Sequence, residues 1–171
     1  MGGRQVAALL LACLAGCAAP PSEPGARWQL GTWTLSAAPL PAGEFAVLAF
    51  EDPPATPGAG AGLADAIAAA LRDRGQATLS RAWAEDHLPA AGVVVVRGRL
   101  LRWREDLERG WLRAEVDFTL AADGSERLGG SIEYEVLLAP ESAAGDFEAR
   151  QSALRGALAA VLAQELLDQV D

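Results

Sequence analysis

The chemistry of this chain is most legible at Cys17, because of what precedes it. Leu14-Ala15-Gly16-Cys17 closes an apolar run from Val6 to Leu14, which follows the single basic residue Arg4. A charged start, a short hydrophobic stretch and a small-residue cleavage site make a secretory signal peptide, too short to span a bilayer as a mature helix. A hydrophobic residue, two small ones and then cysteine is also the bacterial lipobox pattern. The expected chemistry is acylation of the Cys17 thiol, with residues 1–16 removed and the chain held by lipid.

Other groups point to chemistry less specifically. His87, the only histidine, stands in Glu85-Asp86-His87-Leu88-Pro89, where a base beside carboxylates is conceivable but no nucleophile is marked. It reads as a solvated loop residue. Gly58-Ala-Gly60-Ala-Gly62 lies between a strand and a helix, where a phosphate cradle would belong. Its spacing is not GxGxxG, no GK[ST] follows, and Glu51 and Asp52 would repel a phosphate. It reads as a flexible connection. No catalytic set, metal-ligand pattern or cofactor motif is recognisable, so no enzyme, metal or cofactor is expected.

Arg97, Arg99, Arg102 and Arg104 crowd one stretch, facing Glu115, Asp117, Glu133 and Glu135 on later ones. Cross-strand ion pairs account for this pattern, with phosphorylated head groups as the alternative. Of five tryptophans, Trp103 and Trp111 flank a turn. Arg97, Arg99, Trp103 and Trp111 are therefore the candidate contacts to a partner or lipid, against core filling by the tryptophans.

The elements that must position these groups follow from composition and period. Residues 17–26 carry the lipidated cysteine and a proline-rich tether, and residues 27–171 suffice for one domain. The net charge of −9 becomes one unit more negative when Arg4 leaves, which argues against nucleic acid. All fourteen basic residues are arginine, so a lysine Schiff base is excluded.

A weak strand is expected over 27–35, a buried one over 44–50, a loop over 51–62 and a helix over 63–74. A less marked strand follows at 77–81, then a turn or short helix over 83–91. Strands at 93–104, 111–120 and 131–138 make an antiparallel meander, with Leu112, Ala114, Val116, Phe118 and Leu120 on its dry side. Asp123-Gly124 is a hairpin signal. The arginine parity breaks near Leu100-Leu101, which predicts a bulge. Asp146 caps a last helix whose stripe of Leu154, Leu158, Leu162, Leu166 and Val170 must cover the dry side. The expected class is α+β, a two-layer sandwich of order β-α-β-β-β-β-α.

The segments Val93 to Leu100, Phe118 to Leu128 and Asp146 to Leu158 resemble the ABC-type transport auxiliary lipoproteins of the paraquat-inducible protein C type. Val47 to Asp52, Pro57-Gly58 and Leu63 to Gly75 are also similar to the lipopolysaccharide-assembly lipoprotein E type. Either resemblance implies a non-enzymatic envelope accessory. The first implies docking to an ABC permease or pore-forming subunit in lipid transport. The second implies plugging or chaperoning an outer-membrane β-barrel. Ala18 after the lipidated cysteine resembles the sorting pattern for the outer membrane, periplasm-facing.

Overall fold

A computed structural model describes residues 26–87, 91–139 and 145–170. The lipobox residues Leu14, Ala15, Gly16 and Cys17 and nearly all of the tether lie outside the described residues, as do Leu88 and Pro89. The elements are β1 (Arg27–Thr34), β2 (Glu44–Val47), α1 (Ala59–Asp73), α2 (Arg81–Asp86), β3 (Val93–Asp106), β4 (Trp111–Ala122), β5 (Ser125–Leu137) and α3 (Phe147–Asp168). One sheet of order β1-β5-β4-β3-β2 carries α1 and α3 on one face. Among the named strands only β2 and β3 pair in parallel. The α+β class and the covering C-terminal helix are as the periodicity requires.

The meander forms where the alternation is cleanest. Leu112, Ala114, Val116, Phe118 and Leu120 of β4 are all buried, as are Ile132, Tyr134 and Val136 of β5. Asp123 (φ 51°) and Gly124 (φ 75°) are both left-handed, which matches the right-handed twist of the strands they join. Asp146 accepts a hydrogen bond from the Ala149 N–H at 2.9 Å and starts α3. From there Leu154, Leu158, Leu162 and Leu166 are buried against the sheet and α1, and Val170 packs at the margin.

Three elements differ from expectation, each for a local reason. Helix α1 begins at Ala59, inside the glycine run. The Asp52 carboxylate accepts from the N–H groups of Gly58 and Gly60, so the helix start is satisfied from the preceding loop. A Cβ at Gly60 would lie 2.0 Å from the Phe50 carbonyl oxygen, so close packing requires this glycine.

Strand β5 starts six residues before the expected Ser131 because Gly129 and Gly130 make room for aromatic rings. A Cβ at Gly130 would meet the Phe118 ring at 2.2 Å, and one at Gly129 the Trp33 indole at 2.4 Å. The expected strand at 77–81 shrinks to one parallel bridge between Thr78 and Phe45, since α2 begins at Arg81. The weak first strand is real instead, pairing with β5 from Arg27–Glu135 to Thr34–Leu128. The element order is therefore β-β-α-α-β-β-β-α.

Helix α2 lies across the other face of the sheet. Ala84 packs there with Ala46 and Val93, flanked by Leu48 and Leu79, in a small second cluster.

Candidate functional site

The open face of the sheet gathers most of the candidate side chains. Arg97 and Arg99 reach it from the first half of β3 and Arg102 and Arg104 from the second. The switch of parity occurs at a bulge between Leu100 and Arg102. Register then decides the pairing. Arg99 stands opposite Asp117 and pairs with it at 3.9 Å; Arg102 pairs with Glu115 at 3.3 Å. Arg113 reaches Glu133 at 2.8 Å, and Arg27 reaches Glu135 at 3.4 Å. The hydrogen bond to Glu133, then its charge, raises the Arg113 pKa above the ordinary arginine value. Through most of this face the arginines therefore satisfy the strand beside them.

Arg97 does not follow that rule. Its cross-strand neighbour is Thr119, and among the described residues no carboxylate lies within 4.0 Å of it. Arg104 stands opposite Arg113 and also lacks an ion pair among the described residues. Arg102, Arg104 and Arg113 border a small depression of about 120 Å³.

The two tryptophan candidates separate. Trp103 is not a surface contact: the bulge turns it toward the helices, where it is 6% exposed. The Arg155 guanidinium lies 5.9 Å from its ring centroid and pairs with Glu105 at 3.0 Å. Gln151 donates to the same Glu105 carboxylate, so β3 is tied to α3 at this point. Trp111 is half-buried and its indole N–H donates to Glu135 at 3.1 Å. It stands opposite Leu137, which is exposed.

Sequence reasoning missed a cleft of about 660 Å³ at the corner where α2 crosses the open face. Leu48, Ala84, Val93, Val95 and Ala121 form an aliphatic floor. Arg97, Glu85, Asp86, His87 and Asp123 stand around it. Glu85 is engaged by Arg81 at 3.3 Å, and Asp123 accepts from the Gly92 N–H at 3.4 Å. Arg81 is held chiefly by hydrogen bonds to Asp65, then Glu85, which raise its pKa. One signal was present in the sequence. Val93 and Val95 share the parity of Arg97, so the strand's polar side starts with two apolar residues.

No protein-family profile and no curated protein matches the chain. Among solved structures it is similar to a PelC dodecamer from Paraburkholderia phytofirmans, with a TM-score of 0.51 at 19% identity over 78% of this chain and 96% of that one. A point variant of that dodecamer matches with a TM-score of 0.51 at 20% identity, over 79% and 96%. An uncharacterized protein also matches, with a TM-score of 0.51 at 13% identity, over 75% and 94%. At such identities the likeness is one of fold.

Proposed function

We propose that this chain is a non-enzymatic, lipid-anchored accessory of a bacterial envelope lipid-transport assembly. In this reading Cys17 is acylated and holds it at the outer membrane, periplasm-facing. The domain works by docking to an ABC permease or pore-forming subunit. The observation that carries the reading is β1, which follows the tether directly and forms an edge of the sheet. Six of its eight residues are exposed, Trp33 among them, and exposed Leu35 follows. A strand edge unpaired among the described residues, carrying an exposed tryptophan, suits addition of a partner's strand or loop. The similar PelC structures are dodecamers, so further copies of this chain are a second candidate for the same edge.

Photo-crosslinking in intact envelopes, with the reactive group introduced at position 33, tests this reading. Capture of a permease or pore-forming subunit is the expected result. An adduct with an outer-membrane β-barrel replaces it with the lipopolysaccharide-assembly function. An adduct of two chains alone, or none, overturns the transporter docking.

A further inference from the structure

The α2 cleft differs from the rest of the open face in two independent ways, its floor and its rim. Its floor is aliphatic, whereas the adjoining surface is built of cross-strand ion pairs. Its volume of about 660 Å³ suits a small molecule, a property it shares with an adjoining depression of about 460 Å³ over Arg97 and Arg99. Its rim also holds two opposite charges that do not neutralise each other. Arg97 on β3 and Asp86 at the end of α2 each lack a hydrogen-bonding or ion-pair partner among the described residues, though both line one cleft. Glu85 and Asp123, by contrast, are engaged within the fold.

A purely apolar ligand would leave both charges unused, and a purely anionic one would meet the carboxylates around Arg97. A ligand carrying a hydrocarbon chain, one anionic group and one ammonium uses the floor and both rim charges. We propose that the cleft binds a single-chain zwitterionic amphiphile. Its chain lies on Leu48, Val93, Val95 and Ala121, its phosphate meets Arg97 and its ammonium meets Asp86. This deepens the envelope-transport reading by naming a cargo chemistry, and rests on it only for where the lipid comes from.

Register separates the cleft from Arg27, where β1 begins. Arg27, next to the tether, pairs with Glu135, whereas the cleft is bordered by the Asp123–Gly124 turn at the other end of β4. A ligand in the cleft is therefore held away from the point where the chain enters.

The test uses the full mature chain carrying Cys17→Ser and palmitoyl lysophosphatidylethanolamine below its micelle concentration, followed by calorimetry. Saturable 1:1 binding is expected, weakened at least about tenfold by Arg97→Glu, whose side chain is exposed and carries no fold contact. Asp86→Asn should weaken this probe several-fold and tighten palmitoyl lysophosphatidic acid, which has no ammonium and loses a repelling carboxylate. Val95→Asp, which charges the floor, should abolish binding of both, with thermal unfolding as the folding control. Absence of saturable binding overturns the proposal, as does equal affinity in Arg97→Glu. Either failure leaves the docking reading standing, because that reading is decided by the crosslinked partner.

Discussion

The two faces of this sheet are built from the same strands by opposite means. On the helix side, β4 and β5 contribute aliphatic and aromatic residues and no charge, and α3 closes over them with four buried leucines. On the open side, the same strands carry Arg113, Glu115, Asp117, Glu133 and Glu135, joined to each other and to β3 and β1 by solvent-accessible ion pairs. Burial of apolar area scales with what is removed from water, whereas exposed ion pairs return little. Stability therefore belongs to the covered face, and the open face is free to vary or to bind.

Substitutions can test that division. Leu158→Ala empties a fully buried position between α3 and the sheet and should cost about 3 kcal/mol in urea unfolding. A loss below about 1 kcal/mol would mean that the covered face does not dominate. Arg113→Ala on the open face should leave the urea midpoint almost unchanged despite its 2.8 Å contact, because both partners are solvated. A double-mutant cycle with Glu133→Ala gives the pair's own contribution.

The smallest effect concerns Glu165 of α3. Burial, then the charge of Asp168, raises its pKa. The folded chain thus holds this proton more tightly than the unfolded one. Stability falls as pH rises from the ordinary glutamate range through the raised value. Glu165→Gln should therefore raise the melting temperature at pH 7 by about 1–2 °C. The gain should vanish below the ordinary range, where both states are protonated. A gain that persists in thermal unfolding at low pH would assign the effect to packing instead.

The covered face was legible in the sequence because burial imposes a period. The stripe of α3, the alternation of β4 and the parity break at Leu101 all report which side is dry. Length and pairing were less legible where backbone contacts override local pattern. Gly58 to Gly62 reads as loop until Asp52 is seen to satisfy its N–H groups. Gly129 and Gly130 read as a weak strand start until Phe118 and Trp33 are seen against them. Of the candidate contacts, the pairing of Arg99 was readable from opposite charges on neighbouring strands. The cleft was not, since it needs α2 folded over Val93 and Val95 from a segment that shows little period.

The single unpaired residue of the β3 bulge has one more consequence. Leu100 stands opposite Val116 and Arg102 opposite Glu115, so Leu101 has no counterpart. β3 is thus two strands in different reading frames, joined by one skipped beat. Before it, even-numbered residues look toward the helices; after it, odd-numbered ones do, which delivers Trp103 and Glu105 to Arg155. Removing Leu101 would close the bulge into plain alternation and leave Trp103 in and Arg102 and Arg104 out, because the partners across the ladder stay the same. The pairing with β4, rather than the count of residues along β3, thereby decides what lies inside.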